Sequence, residues 1–313
     1  MSPQRTLSGR AWAELLLLSG IWGGSFLSIR IVLNEVGVLT SVAHRVFWAA
    51  LVLWVVILIR RQPLPGLRHW PAFLVMSLLN NVAPWCLIFW GQLHIETGLA
   101  AILNSSTALF GILVAAAVFA DERLTFQRLA GVALGLVGVA VAVGPQHLAA
   151  FDLRSAAQLA ILGASLSYAI AAAWARARLM GLAPEVATAG MLTASTLVML
   201  PLALLVEGPP RLDLAPATWA GIAYYAVAAT AFAYLFYYRV LATAGSGNLS
   251  LCTLIVAPIA VLLGALVLGE TLPPRAFAGF ALVAAGLAVI DGRFLRRIAP
   301  GAAGRLTLRR PRG

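Results

Sequence analysis

Few polar side chains fall inside the long apolar runs of this chain, and those few define the chemistry open to it. Arg45 stands near the start of the apolar run 39–59, beside His44 and with Trp48 one turn beyond His44. Ionisable groups at such depth usually face a cavity or a partner. A guanidinium fork suits capture of a carboxylate; the same side chain could instead snorkel to the interface or bond helix-end carbonyls. His44 is of the type that titrates near neutral pH, which makes protons candidate coupling ions, and it equally reads as a hydrogen-bonded neighbour. Arg30, near the end of the first run, reads as a partner of Glu35 or a snorkelling cation.

The run 70–91 places Asn80 and Pro84 on one helical face and Asn81 and Trp85 on the next. An amide facing hydrocarbon is costly unless bonded, so one of these faces is expected to look into a central cavity. Asn104 and Ser105 add polar groups to the run 97–119, where inter-helix bonding is the other reading. In the second half Tyr168 and Trp174 share the run 156–175, and five tyrosines crowd 216–238. Trp22, Trp85, Tyr168 and Tyr234 lie deep and read as cavity walls, while Trp219, Tyr237 and Tyr238 read as an interfacial aromatic belt. With Ser25, Tyr224 and Asn248 the candidate substrate-binding set becomes Trp22, Ser25, His44, Arg45, Asn80, Asn81, Trp85, Asn104, Ser105, Tyr168, Trp174, Tyr224, Tyr234 and Asn248. Flat amphipathic rings with a few amides suit a small zwitterion or an uncharged amphipathic metabolite. A phosphate ester would want several buried cations.

Catalytic groupings are missing from the pattern. There is no Ser/His/Asp set, no His/Glu metal spacing and no cluster of carboxylates within the apolar runs; His94-Ile95-Glu96 is the nearest approach, and it sits in a short connection. Cys86 and Cys252 both lie in apolar runs and share no metal or redox spacing, so they read as packing residues. No nucleotide-binding loop is present, and neither a cofactor nor ATP is expected. An enzyme acting on lipid-linked substrate and a passive facilitator or channel remain as alternatives to a transporter.

The elements that hold these residues follow from composition. Of 313 residues 61% are hydrophobic and 11% charged, and the mean hydropathy is +0.93. A soluble domain would be left with too little polar surface, and runs long enough for the roughly 20 residues of a membrane span succeed one another. The spacing predicts ten helices: 12–33, 39–59, 70–91, 97–119, 127–144, 156–175, 186–206, 216–238, 247–268 and 275–291. The fold class is an all-α polytopic membrane protein.

The net charge of +11 comes wholly from arginine, because the sequence has no lysine. The arginines gather in short connections and in the tail 293–313, so they report topology rather than nucleic-acid binding. With the N-terminus in the cytoplasm most of them lie inside, as the positive-inside rule requires, and an even number of spans returns the C-terminus to the same side. The basic N-terminal segment running into the first span reads as a retained signal anchor. The tail reads as a topology anchor or as a ligand of anionic membrane lipid. The expected location is the cytoplasmic membrane.

The stretch 97–144 recurs 148 positions later: Glu122, Leu124, Gly131 and Gly138 meet Glu270, Leu272, Gly279 and Gly286. A fixed internal period in an apolar chain points to a transporter built from two repeats. Five spans per repeat is odd, so the copies enter the membrane from opposite faces. The expected domains are 11–145, 155–292 and the tail 293–313. Helices five and ten carry glycine stripes that favour close helix packing at the periphery. The expected assembly is a monomer or weak dimer.

The order Trp22-Gly23-Gly24-Ser25-Phe26, Arg45, Asp121-Glu122-Arg123-Leu124, Gly131, Pro258, Gly269-Glu270-Thr271-Leu272 and Gly279 resembles the drug/metabolite transporter superfamily. The likeness is to its ten-helix branch of two EamA-type repeats, and it covers nearly the whole chain. It implies export of amino acids or related small metabolites from the cytoplasm, by alternating access of two inverted five-helix repeats. Phe110 and Val38 depart from the pattern, standing where the other repeat has Pro258 and Pro184. Since proline frees a backbone carbonyl and favours a kink, helices seven and nine are expected to bend more than two and four.

Overall fold

The computed structural model describes residues 9–120, 125–143, 153–179, 181–244 and 246–291. Every regular element among them is helical. We number the helices α1 (Gly9–Val32), α2 (Val38–Ile59), α3 (Leu67–Gly91), α4 (Thr97–Val118), α5 (Phe126–Val143), α6 (Leu153–Arg178), α7 (Pro184–Val206), α8 (216–244), α9 (Ser246–Leu268) and α10 (Pro274–Asp291). Within the described residues seven of them, α1 to α4 and α6 to α8, contain stretches long and apolar enough to cross a membrane. Shorter apolar stretches lie in α5, α9 and α10. Leucine, valine and phenylalanine remain on the outer surface, as at Leu58, Ile59, Leu205 and Leu266. That distribution fits a chain whose solvent is hydrocarbon, where burying apolar surface gives no driving force and small residues set the packing.

Small residues do set it. A Cβ built on Gly138 would lie 2.7 Å from the carbonyl oxygen of Gly279, and one on Gly286 would lie 2.5 Å from that of Gly131. The backbones of α5 and α10 therefore touch, as the glycine stripes lead one to expect. Gly23 makes room for Ile259 of α9, where an added Cβ would come within 2.5 Å of its side chain, and Gly24 does the same for the Tyr224 hydroxyl of α8.

Two helices depart from regular α geometry in their middle. Residues Leu78–Val82 of α3 and Tyr224–Phe232 of α8 form π-helix, a form found as short bulges and often at functional sites. In α3 the carbonyl of Leu79 accepts the Ser167 hydroxyl at 2.6 Å, so α6 satisfies one group of the irregular turn.

The helical runs of α7 and α9 continue through Pro201 and Pro258. The run of α4 is interrupted at Ser105–Ser106, between Thr97–Asn104 and Thr107–Val118. Hydroxyls compete for its backbone there: Ser105 Oγ donates to Ile102 O at 2.6 Å and Thr107 Oγ1 to Asn104 O at 2.7 Å, the kind of local bond that opposes a helix. Pro184 begins α7 at its first turn, where proline costs no hydrogen bond.

Candidate functional site

Arg45 is the one charged residue that is buried among the described residues, at 8% exposure. It lies in α2, and three other helices surround it. Its guanidinium carbon stands 4.1 Å from the Trp85 ring centroid, with the Phe89 and Tyr225 rings at 5.9 and 6.0 Å. Its Nε donates to Thr230 Oγ1 at 3.0 Å, and that hydroxyl donates to the Tyr225 carbonyl at 2.7 Å inside the π segment of α8. The irregular turn thus turns Thr230 and Tyr225 toward the arginine together. Tyr225 donates its hydroxyl to Ser41 O at 3.0 Å and meets Phe89 edge-on at 5.7 Å. The titratable neighbours of Arg45 are tyrosines, Tyr168, Tyr225 and Tyr234. No carboxylate among the described residues reaches it.

A second polar chain adjoins this group from α3. Asn80 Nδ2 donates to Tyr234 Oη at 2.7 Å and to Asn81 Oδ1 at 3.0 Å, while Asn81 Nδ2 donates to Ser195 Oγ at 2.8 Å. The two amides therefore join α7 to α8 through the π segment of α3. Trp22 donates its indole N–H to Ala229 O at 3.1 Å and packs on Tyr237, with ring centroids 5.9 Å apart. Tyr237, read from the sequence as a belt residue, is instead part of this aromatic group, and it also meets Tyr234 at 6.4 Å.

The remaining candidates fall elsewhere. His44 Nδ1 accepts the Trp48 indole at 3.2 Å and its ring meets Trp219 edge-on at 6.0 Å. With Nδ1 accepting, a neutral imidazole carries its proton on Nε2, which is buried with no partner among the described residues. Tyr224 donates to Ile21 O at 3.0 Å and fixes α8 on α1. Trp174 donates to Ala72 O at 3.2 Å near the start of α3, well along the helix from Trp85. Asn104 and Ser105 mark the interruption of α4, and Asn104 Oδ1 is buried without a partner among the described residues. Ser25 is buried in α1 and its carbonyl accepts from Ser28. The side chains of Asn248 and Tyr238 lie outside the described residues, as do Glu122 and the tail. Thr230, Phe89 and Ser195 escape the sequence reading, which counts Tyr225 among the tyrosines of 216–238 without making it a candidate; the lone threonine in the alanine-rich stretch 226–233 is the available signal for the first.

Carboxylates fasten one end of the bundle. The first turns of α2, α4 and α8 have no side-chain cap of their own. Glu207, after α7, accepts from Leu39 N at 2.9 Å and Thr40 N at 2.8 Å, and Gly37 leaves the space for it. Glu270, after α9, accepts from Thr97 N at 3.0 Å and Gly98 N at 3.4 Å. Glu35, after α1, accepts from Ala215 N at 2.9 Å and Thr218 Oγ1 at 2.7 Å. Those bonds, the Thr218 hydroxyl first, hold the Glu35 carboxyl below its ordinary range. Arg154 adds a two-pronged pair to Glu96 at 2.7 and 3.2 Å. Arg30 belongs to the same end: it donates to the Gln92 carbonyl and leaves Glu35 to α8. All four carboxylate contacts join the first half of the chain to the second, and each meets the unsatisfied N–H groups or the field of a helix start, or a cation.

At the opposite end two ion pairs join the halves, Arg60–Glu185 at 3.3 Å and Arg239–Glu14 at 2.6 Å. A cleft of about 180 Å³ opens there, lined by Arg60, Glu185, Phe232, Leu235, Phe236 and Arg239.

Comparison with known proteins places this arrangement. The model of the EamA-like transporter family matches residues 10–144 and again residues 155–291. A probable terminal-alkyne amino-acid exporter of Streptantibioticus cattleyicolor is 31% identical over 297 residues, covering 93% of this chain and 96% of that protein. A probable amino-acid metabolite efflux pump of Salmonella typhimurium is 27% identical, covering 91% and 96%. A crystal structure at 19% identity superposes with a TM-score of 0.64 over 92% of this chain and 98% of its own, a likeness of fold alone. Matched twice over nearly its whole helical length, this multi-pass membrane protein belongs to the EamA-like transporter family.

Proposed function

We propose that the chain is a secondary transporter that exports amino acids or related small metabolites across the cytoplasmic membrane by alternating access. Ten transmembrane helices form two inverted five-helix repeats, with both termini in the cytoplasm. The observation that carries the reading is Arg45: a buried cation, held by Thr230 and aromatic rings, with no carboxylate among the described residues beside it. A buried charge without a partner is expensive, and a carboxylate brought by the substrate relieves that cost while it is bound. The names of the two relatives support the substrate class.

Contacts between the halves at both ends support the alternation. In this topology the Glu207, Glu270, Glu35 and Glu96–Arg154 contacts face outward, and Arg60–Glu185 and Arg239–Glu14 face the cytoplasm. One set must open for substrate to enter and the other for it to leave. The cleft beside Arg239 is the entry from the cytoplasm in this reading. The test is export from cells loaded with labelled amino acids, with and without the protein. Faster appearance outside of one or more of them is expected; identical efflux across a panel spanning acidic, basic, aliphatic and aromatic side chains overturns the proposal.

A further inference from the structure

The same site reveals a preference within the carboxylates, which rests on the reading of Arg45 as their anchor. The sequence has eleven carboxylates, and none lies in the middle of an apolar run: each sits in a connection or near a helix end. Those nearest the bundle interior are already engaged. Glu35, Glu207 and Glu270 hold helix starts, Glu96 holds Arg154, Glu185 holds Arg60 and Glu14 holds Arg239. The site therefore offers a fixed positive charge and no negative one.

Several neutral acceptors around Arg45 are also engaged. Four backbone carbonyls in and beside the irregular turns receive side-chain donors. Tyr225 O takes the Thr230 hydroxyl, Ala229 O the Trp22 indole, Leu79 O the Ser167 hydroxyl, and Ser41 O the Tyr225 hydroxyl. Asn81 Oδ1 takes the Asn80 amide. The Trp85 face, which would otherwise attract an ammonium, is covered by Arg45 itself at 4.1 Å. A free amino acid would place its carboxylate well and carry its ammonium into low-dielectric surroundings without an anion, which is unfavourable.

We infer that the site takes monoanionic carboxylates whose nitrogen is uncharged or absent, such as N-acylated amino acids and 2-oxo acids, ahead of the parent zwitterions. An acyl or oxo oxygen adds a neutral acceptor and no second charge. The added group replaces a charge that no carboxylate among the described residues meets beside Arg45.

The experiment uses the full-length protein in liposomes and measures initial transport of labelled alanine, leucine and phenylalanine, of their N-acetyl derivatives, and of phenylalaninamide. The N-acetyl acid should exceed its parent by at least about tenfold in kcat/KM, the effect of leaving a buried charged group unpaired, and the cationic amide should not move. Arg45→Gln should remove the advantage of the N-acetyl acids, and an unchanged melting temperature separates that result from misfolding. Parent amino acids moving as fast as or faster than their N-acetyl derivatives overturn the inference and leave the exporter reading standing. No transport of any carboxylate by folded protein overturns both.

Discussion

Replacing Glu270 by glutamine should loosen the outward end of the bundle by an amount the structure lets us estimate. The carboxylate accepts from two N–H groups at the start of α4, Thr97 and Gly98, and is part-buried. A side-chain acceptor at a helix start contributes about 1 kcal/mol, and the loss of charge near the helix dipole adds about 0.3–1 kcal/mol. Glutamine keeps one carbonyl acceptor, so a net loss of about 1 kcal/mol is the expectation. If the contact exists only while the outer side is closed, the outward-open population rises about fivefold. Ala100, fully buried one turn below Thr97, is the reporter. With Cys86 and Cys252 replaced by alanine and Ala100 by cysteine, labelling by a membrane-impermeant maleimide should quicken about fivefold in Glu270→Gln. An unchanged or slower rate in a protein of unchanged melting temperature would refute the idea that this carboxylate closes the outer side.

Glu35 gives a test by pH. Its folded-state pKa is depressed by Thr218 and Ala215, so its contribution is full above the ordinary value of about 4.3 and disappears as pH falls through the depressed value below it. The difference in melting temperature between the wild type and Glu35→Gln should be present at pH 7 and vanish in that acid range; a difference constant with pH contradicts the assignment. Gly138→Leu should separate α5 from α10, because even a Cβ there meets Gly279 O at 2.7 Å, and a loss of about 1–3 kcal/mol should show in unfolding. Asn81→Ala strands the bond to Ser195 and should cost about 1–3 kcal/mol. Tyr234→Phe, which removes the acceptor of Asn80, should raise KM for transport with little change in melting temperature.

Most of the architecture was legible in the residues. Hydrophobic run lengths located the helices, and the glycines at 131, 138, 279 and 286 foretold where α5 and α10 meet. Arg45, Asn80, Asn81, Trp85 and Tyr234 stood out because polar groups in apolar runs are rare, and the structure gathers them near the π segments of α3 and α8. What stayed hidden depends on tertiary pairing. The π turns leave no periodic mark, so nothing singled out Tyr225 and Thr230. No residue in the sequence signals the interruption of α4, where hydroxyls bond their own backbone. The caps on α2, α4 and α8 come from glutamates far along the chain, and no local motif announces them. Trp174 enters the candidate set because it shares a helix with Tyr168, and only the fold shows it bonded to Ala72.

The central claim is that Arg45 binds the carboxylate of an exported metabolite. Its most direct test is the concentration dependence of transport of one carboxylate substrate by purified protein in liposomes, compared with Arg45→Gln and Arg45→Lys. A charge-assisted hydrogen bond contributes about 1.5–3 kcal/mol, so Arg45→Gln should raise KM about 10- to 150-fold, and Arg45→Lys should recover part of the loss. Wild-type KM and rate in a folded Arg45→Gln protein would contradict the account.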